Sequence, residues 1–125
     1  MNIGLDKTFG LLENMLDVSS LRHKVVANNI ANVNTPGYKK MVVNFEGELE
    51  KAIQSSSQKN FNKFEPKVVI SEDVVDGTLR NDGNTVDMEK EVATLLKNTG
   101  FYKIYSQLLA KKFDLVKAAI DGSKG

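Results

Sequence analysis

The sequence contains no cysteine and no tryptophan, a single histidine and only two prolines. The lack of cysteine excludes disulfides and thiolate metal sites. With His23 the only histidine, neither a hydrolase triad nor a His/Cys zinc set can be assembled. Aromatic residues make up 7% of the chain, which suits an elongated helical protein better than one with a bulky globular core. A net charge of +1 provides no field that would argue for nucleic acid or an anionic membrane. No apolar run approaches the roughly 18–20 residues needed to span a bilayer. The N-terminal residues lack the basic and apolar regions of a cleaved secretory signal.

What is present is helical periodicity at both ends. Residues 5–33 read as a helix with a heptad seam through Leu5, Leu12, Ser19, Val26 and Val33 at one position and Phe9, Leu16, His23 and Ile30 at the other. His23 is thereby expected as a packed or hydrogen-bonded interface residue. Leu11, Met15, Val18 and Val25 form a second apolar row, which implies more than one neighbour. The C-terminal segment repeats Met88, Leu95, Tyr102, Leu109 and Val116 against Val92, Thr99, Ser106, Phe113 and Ile120, a pattern long enough for a coiled coil. Asp87 is the expected N-cap, Glu89 and Glu91 face the positive helix end, and Gly122 is the expected stop. Phe101, Ile104, Leu108 and Leu115 form another uncovered row, while the lysines read as a solvated face.

The expected fold is therefore mainly α. An N-terminal helix over 1–35 and a C-terminal helix over 87–125 form an antiparallel coiled-coil hairpin around an irregular, partly β or disordered middle over 36–86. Within that middle, residues 54–63 look like a polar loop. Residues 67–71 suit a short strand, paired near residues 74–75 or 78–79.

Two stretches punctuate the pattern. Asn28, Asn29, Asn32 and Asn34 bring side-chain amides that favour helix ends. Pro36 forbids continuation, and Thr35-Pro36-Gly37-Tyr38 has proline and glycine at the central places of a type II turn. Asparagines repeated on a helix face also offer paired donors and acceptors to another chain. The second stretch, Arg80-Asn81-Asp82-Gly83-Asn84-Thr85-Val86-Asp87, faintly suggests a calcium loop. Val86 stands at a ligand place and Asp87 where the loop glycine belongs, so a turn followed by a helix cap is the better reading.

The run Ala27-Asn28-Asn29-Ile30-Ala31-Asn32, with Asn34-Thr35-Pro36-Gly37-Tyr38-Lys39, resembles the N-terminal signature of the bacterial flagellar axial proteins of rod and hook. Arg80, Asp82-Gly83-Asn84, Val86-Asp87, Glu89 and Glu91 ahead of a long helix narrow the resemblance to proximal-rod proteins of the FlgB type. The FlgC type carries a different aromatic run where this chain has Phe101-Tyr102-Lys103-Ile104-Tyr105. The resemblance implies a structural subunit of the basal-body rod, assembled helically into a hollow drive shaft and exported by the flagellar type III apparatus without signal cleavage. It implies contacts with further copies, other rod subunits, an adaptor of the FliE type and the membrane ring, and neither catalysis nor a cofactor. Asn28, Asn29, Asn32, Asn34, Thr35, Pro36, Gly37, Tyr38, Asp82, Gly83, Asn84 and Asp87 would form its assembly motif. A helical-hairpin adaptor or chaperone would explain the heptads but not the turn, and an envelope hydrolase would need a catalytic constellation this sequence lacks.

Overall fold

A computed structural model of the chain describes residues 3–54, 66–71 and 81–123. Five elements follow in order: α1 (Ile3–Ala31), β1 (Met41–Asn44), α2 (Glu46–Gln54), β2 (Lys67–Ile70) and α3 (Met88–Ser123). Both long helices match the periodicity. Helix α1 stops at Ala31, two residues before the expected end. Its last turn tightens there, as Asn32 N donates to the carbonyls of both Asn28 (3.1 Å) and Asn29 (3.2 Å) and Val33 N to that of Ile30 (3.2 Å). Helix α3 begins as expected, with Asp87 Oδ1 accepting from Glu89 N (3.0 Å) and Lys90 N (3.4 Å). It runs through Gly122 to Ser123, so that glycine does not end it.

The two helices pack antiparallel. Ser19 meets Asn98, Asn29 meets Glu91 higher on the hairpin, and the Phe9 and Phe113 rings lie 5.0 Å apart lower down. On α1 the seam holds: Leu12, Ser19 and Val26 are buried, and Phe9, Leu16 and Ile30 are half-buried. His23 departs from it and is exposed. The side chain of Leu5 lies outside the described ones.

On α3 the expected seam holds only in part. Leu95, Leu109 and Val116 of one row are half-buried, whereas Met88 (41%) and Tyr102 (48%) of the same row, and Val92 (41%), Phe113 (59%) and Ile120 (52%) of the other, are exposed. The second row is shifted by one residue, to buried Glu91 and Asn98 and half-buried Tyr105. Glu91 and Asn98 take interior places because each finds a partner. Ser19 Oγ donates to Asn98 Oδ1 at 3.0 Å, and Asn98 Nδ2 donates to the Ser19 carbonyl at 2.7 Å.

The second apolar row of α1 is covered by the chain itself. Val18 forms a small core with Val43 of β1 and Phe45, joined by Met15, Leu21, Val25 and Leu49. Neither β1 nor α2 was expected from the sequence, for four and nine residues carry too little periodicity to stand out. Strand β2 forms where expected, but its partner is β1, antiparallel, with Met41 opposite Ile70 and Asn44 opposite Lys67. The stretches proposed as its partner lie outside the described residues, as does most of the 54–63 loop.

Helix α2 is held at its start by Asn44 Oδ1, which accepts from Gly47 N (3.3 Å). One guanidinium nitrogen of Arg22 donates to both Glu46 oxygens, at 2.5 and 2.7 Å. Burial opposes ionisation of Glu46, but Arg22 and the backbone N–H groups outweigh it and hold the carboxyl below its ordinary value.

Candidate functional site

The two punctuating stretches, far apart in sequence, lie against one another. In the first, Tyr38 N donates to the Thr35 carbonyl (3.2 Å) and Gly37 has φ of +73°, the hydrogen bond and the positive dihedral expected of the turn. The second has its own positive-φ glycine, Gly83 (φ +76°). A Cβ built on Gly83 would sit 3.7 Å from the Gly37 Cα, so the two turns meet at their glycines.

Backbone bonds then zip them together. Gly37 N donates to the Asp82 carbonyl (2.7 Å) and Thr85 N to the Tyr38 carbonyl (3.1 Å). Lys39 Nζ donates to the Gly83 carbonyl (2.6 Å), and Lys40 N to Thr85 Oγ1 (2.8 Å).

Asn84 holds the turn that follows α1. Carbonyls in such a turn have no helical or sheet partner and need donors from elsewhere. The buried Asn84 amide lies within donor reach of the carbonyls of Asn32 (2.8 Å), Val33 (3.1 Å) and Thr35 (2.8 Å), while its Oδ1 accepts from Val86 N (2.8 Å). One side chain from the second stretch thus fixes the turn that leaves α1, some fifty residues earlier.

Beneath it lies a buried polar cluster. Asn29, 0% exposed, uses both ends of its amide. Nδ2 donates to the Met41 carbonyl (2.8 Å) and to Glu91 Oε2 (3.2 Å); Oδ1 accepts from Met41 N (3.0 Å) and Tyr38 Oη (3.0 Å). It pairs with Met41 as a neighbouring strand would, tying β1 to α1. Glu91, 1% exposed, has its other oxygen, Oε1, 3.0 Å from Lys40 Nζ. Oε1 receives no aligned hydrogen bond, so it is compensated by the charge of Lys40 rather than by hydrogen-bond geometry.

Most of the expected motif is therefore brought together, but facing inward. Asn29 and Asn84 are buried. Asn28 donates to Tyr38 Oη (3.2 Å), and Asn32 Oδ1 accepts from Thr35 Oγ1 (3.1 Å). The expectation that these helix-face amides are offered to another chain is corrected for Asn29 and Asn32, because the ends of α1 and β1 leave carbonyls and N–H groups that must be satisfied locally. Asn34 and Pro36 stay exposed, and neither side chain is hydrogen-bonded among the described residues. The oxygens of Asp82, Asn84 and Asp87 are taken up by N–H groups, in keeping with a turn and a cap.

Sequence reasoning missed Lys40 and the bonding role of Thr85, and it placed Glu91 at the positive helix end and in the rod-protein pattern but not in the interior. The available signal was the spacing of Asp87 and Glu91, one helical turn apart, which puts Glu91 on the same face as the cap.

The geometry ties α1, β1 and the start of α3 into one junction. Among the described residues no helix is long and apolar enough to cross a membrane. The profile of the family described as Flagella basal body rod protein matches residues 19–39, which include the turn and Asn29. The flagellar basal body rod protein FlgB of Borrelia hermsii is 36% identical over 135 residues, covering 96% of this chain and 99% of its own. The corresponding protein of Aeromonas hydrophila is 32% identical, covering 99% of this chain and 100% of its own, and that of Bacillus subtilis is 32% identical over 90% and 92%. With sequence identity carried along nearly the whole length, and with both stretches locked together in the fold, the chain belongs to the FlgB family of flagellar basal body rod proteins.

Proposed function

We propose that this chain is a structural subunit of the flagellar basal-body rod, placed in its proximal part and repeated helically into a hollow shaft. The observation that carries this reading is α3. Large apolar side chains are exposed along it from Met88 to Ile120 and include Leu96, Ile104, Phe113 and Leu115. A helix apolar on so many sides calls for more neighbours than one hairpin partner. Its junction with α1 fixes the direction in which those neighbours attach. Repeating a contact between unlike surfaces without closure builds a tube or filament.

In that setting the neighbours are further copies, other rod subunits, an adaptor of the FliE type and the membrane ring. The chain reaches them through the flagellar export apparatus without signal cleavage. The exposed asparagine-turn residues, Asn34 and Pro36, are the part of the motif left to contact them. The reading requires no cofactor and no catalysis. Deletion of the gene followed by a motility assay and purification of basal bodies tests it. Motility is expected to be lost, with basal bodies truncated at the rod, and restored by the gene in trans. A deletion strain that swims and builds complete basal bodies overturns the proposal.

A further inference from the structure

Helix α3 carries a second heptad stripe besides the one facing α1. Lys97, Phe101, Ile104, Leu108, Lys111 and Leu115 follow one another in alternating steps of four and three residues, and all six are exposed. Such a stripe fits another helix. Lys97 Nζ lies 5.8 Å from the Phe101 ring centroid, so its alkyl stem lies along the apolar row. Neither Lys97 nor Lys111 has a carboxylate partner among the described residues.

Helix α1 carries the complement. Glu13, Asp17, Ser20, Lys24, Ala27 and Ala31 follow the same alternation, and all are exposed. Ser20, Ala27 and Ala31 are small and leave hollows for large side chains. Glu13 and Asp17 put negative charge at one end of the stripe, again with no partner among the described residues. The stripes also flank opposite sides of the hairpin. Lys97 and Phe101 border the cleft beside Arg22 and Glu46, whereas Ser20 and Lys24 border the cleft beside His23 and Tyr102.

We propose that the Lys97–Leu115 stripe of α3 in one copy docks on the Glu13–Ala31 stripe of α1 in the next copy. The two helices run antiparallel, as α1 and α3 do within one copy, so Lys111 meets Glu13 and Asp17, and Lys97 and Phe101 lie against Ala27 and Ala31. Because the two stripes are different surfaces on opposite sides, every added copy leaves one of each free. The contact is heterologous and does not close on a dimer. It rests on the reading of the chain as a rod subunit and names the surface by which copies join.

The cysteine-free chain permits a direct test on the full-length protein. Ala27→Cys and Lys97→Cys variants are purified, checked for unchanged helicity by circular dichroism and treated with a short bis-maleimide. Neither variant alone is expected to cross-link, the mixture should give a single dimer, and the double variant a ladder of dimer, trimer and beyond. Adding Glu13→Lys and Asp17→Lys to the Ala27→Cys chain should cut the mixed dimer about fivefold. Adding Lys111→Glu to the Lys97→Cys partner should restore most of it. Homodimers from either single variant, no mixed dimer, or a charge reversal without effect would overturn the contact. So would retention of the chain on anionic phospholipid vesicles through these lysines without copy-to-copy cross-linking. A ladder from a chain whose deletion leaves cells motile would spare the contact and sink the rod assignment; a chain needed for motility that gives no ladder would do the reverse.

Discussion

Asn29 and Glu91 stand 62 positions apart and share a hydrogen bond of 3.2 Å in the interior of the junction. Through it the middle of α1's last turns is tied to the first turn of α3, and Asn29 at the same time holds both backbone groups of Met41. Replacing Asn29 by alanine leaves Met41 N and O without that partner in a part-buried site and strips Glu91 of its aligned donor. Leaving such groups unsatisfied costs about 1–3 kcal/mol each, so Asn29→Ala should lower the unfolding free energy by about 2–4 kcal/mol. Urea unfolding followed by circular dichroism measures this. Asn29→Asp, which sets a second carboxylate beside Glu91, should be worse than alanine.

The Lys40–Glu91 pair should respond asymmetrically. Lys40→Met leaves a carboxylate 1% exposed with no compensating charge, a loss on the order of 3–5 kcal/mol. Glu91→Gln leaves instead a lysine whose side chain is 21% exposed and can turn its ammonium to water. It should therefore be the milder change. Lys40→Met with Glu91→Met should recover much of the single-variant loss, as measured by the same unfolding midpoints. Equal losses for the two single variants would refute the asymmetry.

The two positive-φ glycines make a third test. A Cβ at Gly37 meets nothing within 4 Å, and one at Gly83 makes only ordinary contacts. Substitution at either site is therefore penalised by backbone conformation alone. Gly37→Ala and Gly83→Ala should each cost about 1–2 kcal/mol, and Gly37→Asn less, since asparagine tolerates the left-handed region. In cells, Gly37→Val should impair motility more than Pro36→Ala.

Glu46 gives the molecule a pH response. Its carboxyl is held below the ordinary value in the folded chain, chiefly by Arg22 working against the penalty of burial. A lowered folded value means that the unfolded state takes up the proton first. The stabilisation is present above the unfolded carboxyl's titration and fades as pH falls through the folded one. The pair is exposed and its contribution is small. Arg22→Ala should flatten the acid limb of stability below about pH 5, read as thermal midpoints across a pH series.

Asn84 should matter more than its place in a loop suggests. Asn84→Ala removes the donor shared by three carbonyls of the turn after α1 and the acceptor for Val86 N. A loss of about 2–3 kcal/mol is expected, with earlier amide exchange at residues 32–38. Unchanged exchange there would show that the turn is held by other means.

Much of the architecture was legible in the chain. The extent of α1 and α3 follows from apolar spacing sustained over many turns. The turn at Thr35–Tyr38 and the Asp87 cap follow from residues whose backbone preferences act within three or four positions. These features are local, so the sequence alone determined them. The face of α3 turned toward α1 was not local. Apolar counting favours Val92, Phe113 and Ile120, yet Glu91 and Asn98 are inside, because Lys40, Asn29 and Ser19 stand ready to meet them. No spacing rule on one helix reports partners supplied by another. The same holds for the asparagines, whose number was plain but whose direction was not. Asn29 and Asn84 turn inward because α1, β1 and α3 end at one junction, and only the tertiary structure brings there the carbonyls and N–H groups that a buried amide must satisfy.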